Sequence, residues 1–157
     1  MVDELTGRGR VERVYREQGP RMVRTLFAYA RDMEIAEDAV AEAFAQVIRR
    51  GDAVHDIAAW VWRSSFRIAN GELADRRSRP TGQVPEGRYE MGESAAEVFD
   101  ALGWLSPKQR AAVLLHHYAD LPVREVAASI GSTSAAVRVH LSAGRRRLRE
   151  LLEDHDD

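Results

Sequence analysis

The 157-residue chain contains no cysteine. Disulfides, thiol catalysis and cysteine-ligated zinc are therefore excluded. No apolar run approaches the roughly 20 residues of a membrane-spanning helix, so no membrane insertion is expected. The opening stretch, MVDELTGRGRVERVY, has no apolar segment of the secretory kind. A soluble protein of the cytoplasm is expected. Lysine is nearly missing as well: Lys108 is the single lysine among 23 basic residues. The remainder are arginines, whose planar fork suits phosphates and base edges. Alternating strand patterns and internal repeats are absent too.

Signals for catalysis are equally scarce. His116-His117 is a consecutive pair, which points to two faces of a helix. A helical metal site needs ligands three or four positions apart. No glycine-rich phosphate loop exists, and Ser64-Ser65 has no His–Asp partner that the sequence displays. No carboxylate pair combines with a pocket signal. The expectation is no enzyme, no catalytic residue, no cofactor and no metal.

What is present is helix, charge and order. The formal net charge of −2 hides an uneven distribution. Residues 104–149 hold eight basic and two acidic residues, whereas 150–157 hold five acids and no base. The first stretch carries a positive field that the whole-chain total conceals. The acidic tail (Glu150, Glu153, Asp154, Asp156, Asp157) reads as a solvated terminus or as a local repulsion of DNA.

Apolar residues recur at three- and four-residue steps almost throughout, so the fold class is all-α. Val11, Val14, Met22, Val23, Leu26 and Phe27 form one stripe, with a kink or fresh start expected at Gly19-Pro20. A second helix carries Ile35, Ala39, Val40, Ala43, Phe44 and Val47 and stops at Gly51. After a loop over 51–56, a third runs from Ile57 to about Arg77. Residues 78–93, rich in Pro and Gly, read as a flexible linker. Two small helical domains follow from this, 1–77 and 94–157. In the second, Ala95–Leu105 is helical and Ser106-Pro107 caps and opens the next helix. A short helix after Leu121-Pro122, a Gly131-Ser132-Thr133 turn and a long helix capped by Ser134 complete the chain.

Three constellations remain. Over 122–149, Val137, Leu141, Gly144, Leu148 and Leu151 form a narrow stripe facing Val126, Ala127 and Ile130. The opposite face shows Arg138, Val139, Ser142, Arg146 and Arg149. This is what a helix-turn-helix needs, and equally what a helical hairpin with a solvated basic face looks like. Over 57–77, Trp62 and Phe66 interleave with Arg63, Arg67, Asn70, Arg76 and Arg77. That mix suits single-stranded nucleic acid, or else the aromatics are core. Glu34, Glu37, Asp38 and Glu42 line an acidic edge which, taken alone, is a solvated face.

In this order the segments resemble the sigma-70 family of sigma factors, of the extracytoplasmic-function (ECF) type. EIAEDAVAEAFAQVIRR carries the E-D-x-V-x-E-x-F pattern at Glu37, Asp38, Val40, Glu42 and Phe44. AAWVWRSSFRIANGELADRRSR resembles the promoter-melting segment of region 2. Leu105-Ser106-Pro107-x-x-Arg110 and Glu125-Val126-Ala127, followed by VRVHLSAGRRRLRELL, resemble region 4. The resemblance implies a region 2-like domain over 1–77 and a region 4-like helix-turn-helix domain over 94–157. It further implies that Glu37, Asp38 and Glu42 bind core RNA polymerase. Asp52, Val54 and His55 would take a base flipped from the minus-10 element, and Arg63, Arg67, Asn70, Arg76 and Arg77 would hold that strand. Ser134, Arg138, Val139, His140 and Ser142 would meet minus-35 bases, with Arg145 and Arg146 nearer phosphates. Core polymerase, promoter DNA and an anti-sigma factor are the implied partners.

The chain departs from the family where Arg67 and Gly71 replace a frequent Asn and Asp. Ala136, Val139, His140 and Ala143 stand where Thr, Ser, Arg and Arg are frequent. These departures motivate an alternative, a sigma-like decoy or adaptor without promoter activity. A dimeric helix-turn-helix repressor or activator is a third reading, and it leaves residues 1–79 without a task.

Overall fold

A computed structural model describes residues 7–76, 87 and 90–154. The side chain of Arg76 and the whole of Arg77 lie outside the described residues, as does most of the expected linker. Among the described residues all regular structure is helical.

Helix α1 spans Gly7–Ala30 and continues through Pro20, so no fresh helix start occurs at Gly19-Pro20. Proline removes one hydrogen bond and crowds the carbonyl four residues back. Burial of Met22, Leu26, Phe27 and Tyr29 just beyond it offsets that cost, since packing rather than propensity carries most helix stability in proteins. The helix ends where Arg31 adopts φ 61° and its amide bonds the Phe27 carbonyl. Asp32 then caps α2 (Met33–Arg50), its carboxylate accepting from the Ile35 amide at 3.1 Å. Gly51, at φ 60°, closes α2 by donating its amide to Val47. A 3-10 turn over Gly51–Ala53 follows, and Asp56 caps α3 (Ile57–Arg76) through the Ala59 amide.

In the second half, α4 (Glu93–Leu102) leads to Ser106, which forms a full capping box with Gln109 and opens α5 (Pro107–Val113). A π-turn over Leu114–Tyr118 follows, and the chain reverses at Asp120, φ 59°. Helix α6 (Val123–Ile130) closes at Gly131 in the left-handed conformation. Thr133, not Ser134, caps α7 (Ser134–Glu153): its hydroxyl accepts from the Ala136 amide at 3.1 Å. The threonine precedes the first helical residue by one position, which is where a cap must stand.

The two halves of the chain share one hydrophobic cluster, from Met22, Leu26 and Val61 to Leu115, Val126 and Val137. The Phe27 and Phe99 rings stack at 5.0 Å. Arg31 lies 3.9 Å over the Phe99 ring and donates to the Phe99 carbonyl at 2.8 Å. Burial, with Arg110 nearby, lowers the Arg31 guanidinium to about 10, so it stays charged at neutral pH. Arg110 itself is buried; it donates from Nε to the Tyr29 carbonyl at 2.9 Å and from Nη1 to the Leu105 carbonyl. Of the expected linker, Gly87 is described and sits against Phe27 and Met33.

Candidate nucleic-acid and protein interfaces

Helix α7 presents the two faces that its sequence pattern implies. Val137, Leu141 and Gly144 are buried, and Leu148 and Leu151 are partly so. Gly144 permits a close approach to α5: a Cβ there would lie 2.8 Å from Val113 Cγ2. Arg138, Val139, Ser142, Arg145, Arg146 and Arg149 are exposed, while Ser134 and His140 are half-buried at the margins. Arg145 reaches back to the π-turn, with Nη1 3.4 Å from His117 Nε2. Burial, His116 and Arg145 together hold the His117 imidazole below its ordinary value. His116 is half-buried, with Nδ1 2.8 Å from the Leu121 carbonyl oxygen, while His117 is exposed. The two rings meet edge-on at 4.9 Å within the π-turn.

The first half shows a groove between the antiparallel helices α2 and α3, with ends of opposite charge. Asp38, Glu42 and Glu72 line one end with Ile35, Ala41, Ala45 and Ile68. Gln46, Arg50, Trp60, Arg63 and Arg67 line the other. Glu37, Asp38 and Glu42 are all exposed. Glu42 accepts from Gln46 and from Arg49 at 3.1 and 3.0 Å, and these bonds lower its carboxyl below the usual value. Arg67 is exposed, whereas Arg63 is half-buried and faces Glu125 of α6 at 3.8 Å. Asn70 is partly committed, since its Oδ1 accepts from the Tyr29 hydroxyl at 2.7 Å.

On this surface one open alternative is decided, in favour of core aromatics, and one expectation changes. Trp62 and Phe66 are buried, at 2% and 4% exposure, and cannot stack on bases. Helix α3 is covered on several sides, by α1 and α2 and by α6, so most of its aromatic surface becomes core. Trp62 Nε1 donates to Gln18, and Phe66 packs on the Tyr29 ring. Val54 also turns into the core, so that of the three residues expected to receive a base Asp52 and His55 remain exposed. An apolar side chain gains more from burial than from the rim of a loop.

Sequence reasoning missed Gln46, Arg50, Trp60 and Glu72, which only the antiparallel pairing of α2 with α3 brings beside the expected residues. Arg110 stands in a quoted motif, but nothing local shows that it is buried between the halves. Among the described residues no group of three or more His, Asp or Glu could hold a metal, and no helix is long and apolar enough to cross a membrane.

Comparison with known proteins places these features. Residues 95–148 match the family described as "Sigma-70, region 4". An RNA polymerase sigma-E factor of Streptomyces antibioticus is 37% identical over 81 residues, covering 49% of this chain and 45% of that protein. A sigma-E factor of Streptomyces coelicolor is 36% identical over a stretch of the same length. The match thus spans less than half the length of these relatives. Over most of the chain, the fold is that of the sigma factor RpoE, solved with the anti-sigma factor NepR from Bartonella quintana. The TM-score is 0.75 at 18% identity, covering 90% of this chain and 96% of that one. CnrH, solved with the cytosolic domain of CnrY, aligns with a TM-score of 0.67 at 19% identity, covering 97% and 92%.

Proposed function

We propose that the chain is a sigma factor of the sigma-70 family, of the ECF type, which directs core RNA polymerase to promoters and helps to initiate transcription. One observation carries this reading: a helix-turn-helix with an exposed arginine face follows a helical unit whose surface groove is acidic at one end and basic at the other. Glu37, Asp38 and Glu42 are the proposed polymerase contact, being exposed carboxylates on one rigid helix. Arg63 and Arg67, with Asp52, His55 and Asn70, are the proposed minus-10 contact; Arg76 and Arg77 extend it along the chain. Arg138, Val139 and Ser142, flanked by Ser134 and His140, are the proposed minus-35 readers, and Arg145 and Arg146 hold phosphates. Such a protein supplies promoter choice and strand opening, not a chemical step, and acts in the cytoplasm where the polymerase is. Residues 1–77 and 94–157 are proposed to act as separate region 2-like and region 4-like units once DNA and polymerase hold them.

An anti-sigma factor is a proposed partner, because both solved relatives named above are held by such proteins or by a cytosolic domain. A second reading, a sigma-like adaptor or decoy, is favoured by one feature: Val139 is 66% exposed on the recognition face, where a polar donor would read DNA better.

The deciding experiment is a pull-down with core RNA polymerase followed by run-off transcription on genomic fragments. Binding with selective transcripts supports the sigma-factor reading. Binding without transcripts transfers the weight to the adaptor reading, and no binding removes the polymerase assignment.

A further inference from the structure

The C-terminal end of α1 is clasped by residues from the other half of the chain. The Phe27 ring stacks on Phe99 of α4, and both rings are buried. Arg110 of α5 donates to the Tyr29 carbonyl, in the last turn of α1. Arg31 donates in the opposite direction, to the Phe99 carbonyl in the last turn of α4. Each guanidinium thus bonds a helix C-terminus of the opposite half, where carbonyl oxygens carry partial negative charge. Two clasps nearer to solvent flank them. Arg21 meets Asp120 at 3.2 Å, and Arg24 Nε donates to the Tyr118 hydroxyl at 3.0 Å. The seam also holds an opposing force. Arg110 lies near enough to disfavour the charge on Arg31, and Asp100 offsets this in part. Two like charges in one buried seam leave it closed but ready to part.

We propose that this seam is an autoinhibitory latch: the free chain rests closed, with Arg31 and Arg110 each capping a helix of the opposite half, and must part there before it can hold a promoter. Size carries the inhibitory half of the argument. A compact chain of 157 residues has a radius of gyration of about 15 Å, hence a diameter of about 40 Å. Minus-10 and minus-35 elements lie about 25 base pairs apart, or roughly 85 Å along a duplex. The closed chain therefore cannot hold both at once. The apolar surface carries the other half. Parting bares the Phe27 and Phe99 rings and divides the cluster that Met22 and Leu26 share with Leu115 and Val126. Water alone favours closure, and other contacts must replace what opening loses. The inference rests on the promoter reading given above; it adds a resting state and names the residues that keep it.

The chain has no cysteine, so a pair can be introduced without background. Arg21→Cys with Asp120→Cys replaces an ion pair open to solvent, which contributes little. Spin labels on this pair of the full chain should report one short distance in the free protein. A long distance should replace it when core RNA polymerase and promoter DNA are added. Mainly long distances in the free protein overturn the closed resting state. A bismaleimide with a disulfide in its spacer then locks the same pair. The locked protein is expected to lose most of its run-off transcription and to regain it when a reductant cuts the spacer. In the labelled chain, Arg24→Ala should raise the long-distance fraction about two- to five-fold, the range of a polar contact near solvent. Arg110→Gln should raise it further. Thermal melts check that each variant is folded, and Arg24→Ala, at an exposed position, decides the matter if Arg110→Gln does not fold. Unchanged distances in the folded variants overturn the latch. Equal transcription from locked and cut protein overturns the inhibitory role alone. No transcripts from any form sinks the sigma-factor reading, and the inhibitory role with it.

Discussion

Replacing Gly144 by Ala puts a methyl group where α5 and α7 leave no room. Judged by helix propensity alone, the change should stabilise the protein by about 1 kcal/mol, because Gly in a helix interior costs that much relative to Ala. The packing opposes it. The new Cβ would stand 2.8 Å from Val113 Cγ2 and 3.5 Å from the Gln109 carbonyl oxygen. Val113 is 7% exposed and stiff at χ1, so it cannot swing away, and the backbone carbonyl can move only with α5. Overpacking of this kind costs about 1–3 kcal/mol. The net expectation is a loss of about 0–2 kcal/mol, opposite in sign to the propensity. Val113→Ala alone should cost about 2 kcal/mol through lost burial and a small cavity. In the double variant the clash is gone while the propensity gain remains, so the total should be about 1 kcal/mol, below either the additive sum or Val113→Ala alone. Urea denaturation of the four proteins measures this cycle. A strictly additive double variant, or a Gly144→Ala protein stabilised by the full propensity difference, would refute the claim that this glycine sets the α5–α7 spacing.

Further outcomes follow from the sites. Arg138→Ala should weaken promoter binding by about 1–3 kcal/mol and relax preference at one minus-35 position; an unaltered preference in a randomised-site selection removes Arg138 from the base readers. Charge reversal at Asp38 and Glu42 together should reduce capture by core polymerase while leaving the thermal melt nearly unchanged, and full capture sinks the polymerase assignment. His117 is harder to protonate in the folded chain than in the unfolded one. As pH falls through about 6.5, the unfolded chain binds the proton first, so stability declines until the lower folded value is passed. His117→Gln should remove that part of the decline in urea midpoints measured from pH 8 to pH 5, and an unchanged slope would assign it to another group.

Most helix boundaries were legible because their causes are local. Ser106-Pro107, Gly51 and Gly131 each act on groups within four residues, and each does what its residue type implies. Pro20 shows where a local rule yields, since four buried side chains after it outweigh one lost hydrogen bond. The displacement of the cap from Ser134 to Thr133 is a one-residue ambiguity between two adequate hydroxyls. The acidic edge of α2 and the arginine face of α7 were also legible, because each lies on one helix and follows its period.

The amino-acid sequence alone therefore determined the all-helical class, the caps, the buried stripe of α7 and the family resemblance, all properties of neighbours along the chain. Tertiary structure decided which face of α3 is covered, and with it that Trp62 and Phe66 are core while Trp60 lines a basic pocket. It also decided that Arg110 bonds the Tyr29 carbonyl, 81 residues away, and that Glu125 meets Arg63. Helical periodicity says which residues share a face. Only the packing of one helix on another says whether that face meets solvent, apolar side chains or an opposite charge.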